Sequence, residues 1–466
     1  MPAFLTFLTG ILVIVGELSV FLSNSYLLFI VIPLIFLILI FQRKRFVFLN
    51  ILIIVTICSV TYLKLIPYRL PAIPDEIIDR DISIKGKVLD FSTQRLYPQS
   101  FEIGNIEIDG IPYSSRIKVY SNFYQSFPGS TVLLNGRIKK SSYLTSLSRF
   151  THPTHYISVN NIEVLSENNF FTSLGKVRER IIERVKLSMK SDEAFLLLSS
   201  IMGASSLSSE ERAPFESTGT AHIFAISGLH MSILGEFLNS FLRLFTLLSP
   251  VITILILVIY NLMLGFNVSA LRSVFMYGTM SLARVAGRPG VPLNTLGFAG
   301  IIILIFSPLS ILSVSFQLSF MAVFALFVVS PLISRFLGNT YLFRLLSGVI
   351  AIQLLLIPMM SYYFGTVSLS AFIANIAVIP FMNICVPVGF IQVLCAALSK
   401  PVSGLFSNIS NPVYSFLNST TTFFSRFPLS SLGFRMNLAE LFIYYSVVFV
   451  FLIVFYKKVR FQKSAI

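Results

Sequence analysis

The chain has 466 residues, of which 55% are hydrophobic and only 12% are charged. Soluble proteins carry about 25% charged residues, so a wholly soluble protein is excluded and a polytopic membrane protein with room for one soluble module is expected. Thirty-five Lys and Arg against 20 Asp and Glu leave a net charge of +15, which suits basic cytoplasmic loops or an anionic partner.

Residues 1–66 read as about three transmembrane helices, at 4–22, 26–41 and 46–63. Ser23-Asn24-Ser25 closes the first two into a hairpin, and Gln42-Arg43-Lys44-Arg45 separates the second from the third. Basic loops stay in the cytoplasm, so the amino terminus is expected there and the chain after residue 63 outside. A cleaved signal peptide is disfavoured, because the first segment lacks a basic leader and a small-residue cleavage site.

Residues 67–168 have the composition of a β domain. Runs at 82–89, 101–108, 117–120, 131–138 and 156–165 look like strands, and Asp109-Gly110 is a hairpin signal. Five short strands suit a small extracytoplasmic barrel of the oligonucleotide-binding (OB-like) type. Ten basic and ten acidic residues fall between positions 75 and 167, so DNA contact would need local clustering. Arg137, Lys139 and Lys140, with Tyr143 and Arg149, form the candidate patch, and a solvated loop is the competing reading. His152 and His155 lack nearby Cys or carboxylate partners and make a poor zinc set. Neither a metal nor a cofactor is expected.

Residues 170–190 form an amphipathic pattern. Val177, Ile181, Ile182, Val185 and Leu187 oppose Lys176, Arg178, Arg180, Arg184, Lys186 and Lys190. A basic polar face beside an apolar stripe suits a helix lying in the membrane plane, with packing on the barrel as the alternative.

Residues 191–466 are expected to form the channel domain. Candidate spans are 221–247, 250–266, 268–286, 293–310, 312–334, 341–363, 368–398, 409–424 and 438–456. Pro358, Pro380 and Pro387, with Gly365 and Gly389, are expected to break the sixth and seventh, and broken helices at membrane depth usually line a cavity. The basic ending around Lys457, Lys458 and Arg460 places the carboxyl terminus in the cytoplasm, which an odd number of crossings satisfies.

Within this half, the stretch from Gly219 to Gly235 stands out. His222 and His230 flank Ser227 and Gly228 in an apolar run. On a helix the histidines would lie roughly 12 Å apart along the axis, too far to share one metal. The plainer reading is a bundle-core histidine beside a small-residue helix crossing. Between Ser217 and Asn437 nine basic residues face one acid, Glu236. Ion-coupled carriers generally use intramembrane carboxylates, which counts against the second reading, a secondary transporter of a small anion. No catalytic set of carboxylates, nucleophile and base, or phosphate-cradling loop is visible, so no enzyme activity is expected.

The segment Gly219-Thr-Ala-His222-Ile-Phe-Ala-Ile-Ser227-Gly228-Leu-His230 closely resembles the signature of the ComEC competence proteins, bacterial channels that internalise transforming DNA. Three other stretches agree in order and spacing: Ala270-Leu-Arg272-Ser-Val-Phe-Met276, Phe316-Gln317-Leu-Ser319-Phe320-Met-Ala322, and Pro358 through Gly365 with Ala374-Asn375-Ile-Ala-Val-Ile-Pro380. The resemblance implies passage of single-stranded DNA across the cytoplasmic membrane, with His222, Ser227, Gly228, His230, Arg272, Gln317, Ser319, Asn375 and Pro380 as path candidates. It also implies an extracytoplasmic DNA receptor, a cytoplasmic helicase-like motor and a separate nuclease, since the metallo-β-lactamase-like domain of many relatives is not expected in this chain. The fold expected is a polytopic all-α membrane protein with an inserted OB-like β-barrel.

Overall fold

The computed structural model describes residues 73–89, 99–113, 117–121, 128–140, 155–203, 209–220, 223–224, 228–265, 268–287, 291–338, 340–368, 370–426 and 432–464. The expected amino-terminal helices lie outside these residues.

Six strands come first: β1 Asp81–Val88, β2 Gln99–Ile108, β3 Ile111–Tyr113, β4 Ile117–Ser121, β5 Thr131–Lys140 and β6 His155–Ser166. The order β1-β5-β6-β4-β2-β3, with an added β1–β2 pairing, closes five strands into a barrel and leaves β3 as a flap on β2. Every pairing is antiparallel except β4 with β6. Alternate residues point inward, as a period of two requires, and Ile84, Phe101, Ile103, Ile117, Val119, Leu134, Ile138 and Ile157 fill the interior. All five runs read from the sequence are strands. Asp109 and Gly110 both have positive φ (51° and 79°), the backbone of a type I′ hairpin turn. That turn leads into β3, a short strand the sequence pattern did not separate from β4. At Gly136 a Cβ would lie 2.5 Å from the Ser158 carbonyl oxygen, so glycine permits close approach where the β5–β6 register shifts.

Twelve helices follow: α1 Asn169–Ser188, α2 Ser191–Met202, α3 Ser209–Ser217, α4 Gly228–Leu242, α5 Ser249–Met263, α6 Val268–Val285, α7 Pro292–Phe306, α8 Val314–Leu337, α9 Tyr341–Phe364, α10 Ala371–Leu398, α11 Lys400–Ser425 and α12 Leu438–Ser464. Three of them, α8, α9 and α10, are long and apolar enough to cross a membrane; α5, α7 and the Leu438–Leu452 part of α12 are shorter apolar helices. The chain divides into two compact units. One comprises Met1–Leu207, Ile226–Ser313 and Val386–Asn411; the other comprises Ser208–Ala225, Val314–Cys385 and Pro412–Ile466.

In the first unit α1 starts at an Asn168 cap, whose Oδ1 accepts from the Phe171 amide at 3.3 Å. Ile181, Ile182 and Val185 are buried, while Val177 and Leu187 remain exposed. Arg178 is buried as well and donates to the Met202 carbonyl at the end of α2, while pairing with Glu179 at 3.4 Å. Burial lowers the Arg178 pKa against the opposing pull of Glu179, and raises that of Glu179 against Arg178 and Lys186. Arg184 donates to the carbonyls of Ala396 and Ala397 at 2.9 and 3.0 Å, capping the carboxyl end of α10. Ser188 meets Ser403 at 2.7 Å, and the fully buried Gln392 donates to Ser403 and accepts from Ser410. Helix α1 is thus docked on protein through part of the stripe that reads as membrane-seeking. Its apolar stripe is mostly covered by protein, because two of its arginines satisfy helix-end carbonyls.

Two expectations change. Within the candidate span 221–247 the described α-helix is Gly228–Leu242, and Ile223 and Phe224 lie in a turn in which the Ile223 amide donates to the Thr220 carbonyl. Upstream, Gly219 takes a left-handed φ of 64°, and the Thr218 and Thr220 hydroxyls bond each other and the carbonyl of Phe215; such side-chain bonds compete with a helix ladder. The prolines also do not break their helices. α9 runs through Pro358, and α10 through Pro380 and Pro387. Pro358 has no N–H for the carbonyl of Leu354, four residues back. In the second unit that carbonyl accepts from the Tyr444 hydroxyl of α12 at 3.0 Å, and the next, Leu355, from Tyr445 at 2.6 Å. A neighbouring helix therefore replaces the missing donor. The break comes at Gly365, whose φ of 70° ends α9. In α8 a π-turn at Ala325–Val329 precedes Pro331, where a wider turn absorbs the proline clash.

Candidate functional site in the helical bundle

Helix α4 presents two glycines seven residues apart, and α6 lies against both. A Cβ at Gly228 would overlap the guanidinium of Arg272 and fall 2.6 Å from Ser273 Oγ. Arg272 is only 4% exposed. Its Nη2 donates to Ser273 Oγ at 3.0 Å, and its Nη1 reaches Met276 Sδ at 3.3 Å. Two turns along α4, a Cβ at Gly235 would lie 3.0 Å from the Tyr277 ring, and the Tyr277 hydroxyl donates to the Gly235 carbonyl at 3.1 Å. Small residues allow this approach of helix backbones. His230 is buried in the first turn of α4. Glu236, the one acid between Ser217 and Asn437, pairs with Arg284 at 3.2 Å, and both side chains are more than half exposed.

The structure therefore brings Gly228 and Arg272 together and sets a cation beside neutral partners, a hydroxyl and a thioether. A guanidinium is a forked donor of the kind that suits phosphate, and here both of its terminal nitrogens are engaged within the bundle. Sequence reasoning missed Ser273 and Tyr277. Their four-residue spacing was visible, but only the position of α4 shows which face they serve. His222 and Ser227 lie outside the described residues.

The central stretch is not one element. Gly219 belongs to the second unit, where its Cβ position is 2.7 Å from that of Ala371, and Ser368 donates to the Ser217 carbonyl at 2.7 Å. In that unit Gln317 on α8 accepts from the Tyr363 hydroxyl on α9 at 2.6 Å, so two of the motif stretches meet. Phe316 and Phe320 stack with centroids 4.1 Å apart, and Ser319 is half-buried beside them in sequence. Asn375 is buried on α10, and its Oδ1 has no hydrogen-bond partner among the described residues. Pro380 lines an apolar cavity of about 330 Å³ with Val378, Phe381, Phe416, Leu417 and Thr420.

On the barrel, Lys139 and Lys140 are exposed on β5, and Arg137 sits 3.7 Å from Asp81. Tyr143, Arg149 and His152 lie outside the described residues, and His155 is buried at the start of β6. Among the described residues no group of three His, Cys, Asp or Glu could hold a metal ion.

The competence protein family matches residues 201–458. ComE operon protein 3 of Bacillus subtilis (strain 168) is 24% identical over 314 residues, 63% of this chain and 40% of that protein. An uncharacterized MG316 homolog of Mycoplasma pneumoniae is 32% identical over 109 residues, 23% of this chain and 28% of its own. The matches thus span less than half the length of either relative. No solved structure matches the chain significantly. With a family match over more than half its length, and apolar helices of membrane-spanning size, this chain belongs to the ComEC-type competence protein family of membrane proteins.

Proposed function

We propose that the protein passes single-stranded DNA across the cytoplasmic membrane during competence and performs no bond chemistry itself. The observation that carries this reading is the buried Arg272 lodged against Gly228. The stretch from Ser217 to Asn437, with nine cations and one surface-paired acid, offers phosphate attraction and little repulsion. Phosphate contacts position a strand without reading its sequence, as unselective uptake requires. The barrel supports the reading by its connectivity. Counted around its five closing strands, the chain order is 1-2-3-5-4 with a parallel pair between the third and fifth, which favours an OB-like barrel; the basic loop at Arg43-Lys44-Arg45 favours placing it on the outer face. An extracytoplasmic receptor would deliver the strand, a cytoplasmic helicase-like motor would draw it in, and a separate nuclease would remove its complement. None of the relatives reported favours the small-anion carrier.

The test is transformation frequency and internalised labelled DNA, measured beside membrane abundance, for Arg272→Lys, Arg272→Gln and Gly228→Leu. Lysine should retain more uptake than glutamine, and Gly228→Leu should retain least. Wild-type uptake by both Arg272→Gln and Gly228→Leu at wild-type abundance overturns the proposal.

A further inference from the structure

The outer wall of the barrel carries a row of side chains that the bundle site does not use. On β4, Ile117, Val119 and Ser121 are buried, so Lys118 and Tyr120 face outward. On β6, Tyr156 and Ser158 face outward between the buried His155, Ile157 and Val159; on β5, Arg137 and Lys139 do the same. The strand register aligns these positions across three strands. Lys118, Tyr156 and Lys139 form one row, and Tyr120, Ser158 and Arg137 the next. The rings of Tyr120 and Tyr156 meet edge to face, 6.4 Å apart and 83° from parallel. Lys118 Nζ sits 5.7 Å from the centre of the Tyr120 ring, and Tyr156 is 37% exposed. Glu102 opposite Lys118 and Asp81 beside Arg137 border the rows on either side.

We propose that this cation–ring–cation row is a stacking platform for single-stranded DNA, with Tyr156 taking a base face and Lys118 and Lys139 taking the flanking phosphates. The two lysines stand one strand to either side of Tyr156, about 10 Å apart. Aromatic rings bind the faces of all bases, and lysines track the backbone. A duplex buries its base faces and offers only edges in its grooves, so exposed rings on a barrel wall select the single strand. The inference rests on single-stranded DNA being the cargo, yet its test is binding, which reports on the platform whether or not the bundle conducts.

The chain contains no tryptophan, so Tyr156→Trp installs the one tryptophan of the full-length protein in nanodiscs, excited selectively over its tyrosines. Fluorescein-labelled oligo-dT measures affinity in parallel. Expected are saturable quenching of that reporter by unlabelled oligo-dT, about tenfold weaker binding in Tyr156→Ala, binding near wild type in Tyr156→Phe, and a salt slope reduced by roughly 0.7 in each of Lys118→Gln and Lys139→Gln. Tyrosine and lysine also anchor proteins at membrane surfaces. Quenching of the reporter by brominated lipid and not by oligo-dT overturns the proposal. So does unchanged affinity in a Tyr120→Ala, Tyr156→Ala double variant, or equal affinity for a duplex of the same length.

Discussion

Gly228→Ala is the smallest change that tests the bundle site. The added methyl would occupy space taken by the Arg272 guanidinium and come within 2.6 Å of Ser273 Oγ. Arg272 is buried on all sides, so the guanidinium can move only by giving up its 3.0 Å bond to Ser273. A hydrogen bond to a charged group contributes about 1.5–3 kcal/mol. Replacing glycine by alanine in a helix returns up to about 1 kcal/mol, and less here, because Gly228 is the first residue of α4. The net expectation is a loss of about 1–2 kcal/mol. In an Arg272→Ala background the guanidinium is gone and only the Ser273 hydroxyl, 2.6 Å away, has to shift, so the same substitution should cost less. The double-mutant cycle should therefore show a coupling of up to about 2 kcal/mol. Unfolding midpoints of the four purified proteins in detergent supply the cycle, with transformation frequency read alongside. An identical cost of Gly228→Ala in both backgrounds would mean that position 228 does not meet Arg272, and the site as described here would fall.

Tyr444→Phe removes the hydroxyl that serves the Leu354 carbonyl freed by Pro358, and should cost about 1–3 kcal/mol, seen as lower membrane abundance and midpoint; Pro358→Ala in the same chain should restore most of it. Gln392→Ala strips three serine hydroxyls of a shared partner and should destabilise by about 2 kcal/mol, whereas Leu405→Ala, at a largely exposed position, should cost far less in the same measurement. Gly110→Val places a β-branched residue at a φ of 79° with open space around it, so the expected loss of about 1–2 kcal/mol is backbone strain alone. A cysteine at the exposed Ser158 should react with an impermeant reagent from outside intact cells, and one at Ser464 only after permeabilisation; Ser121 is buried in the barrel and should stay silent. Labelling of Ser464 from outside would refute the topology.

Periodicity and charge alone fixed a good deal. The alternation of apolar residues placed all five barrel strands, because a period of two leaves one choice of inward face. Among the described residues, long apolar runs located the helices α4 to α12, since an apolar segment must satisfy its backbone internally. The motif stretches identified the family. What sequence could not decide was set by contacts between elements distant in the chain. Pro358 looked like a helix breaker, but Tyr444 and Tyr445, some ninety positions on, supply the missing hydrogen bonds. The basic face of α1 looked membrane-seeking, but Arg184 caps a helix end more than two hundred residues away. The run 221–247 looked like one helix, but its described residues Ile223 and Phe224 form a turn ahead of the helix Gly228–Leu242. Gly228 and Arg272 were each noticed, yet only the packing of α4 on α6 makes them one site. Local pattern specifies an element; which polar group finds which partner is a property of the packed chain.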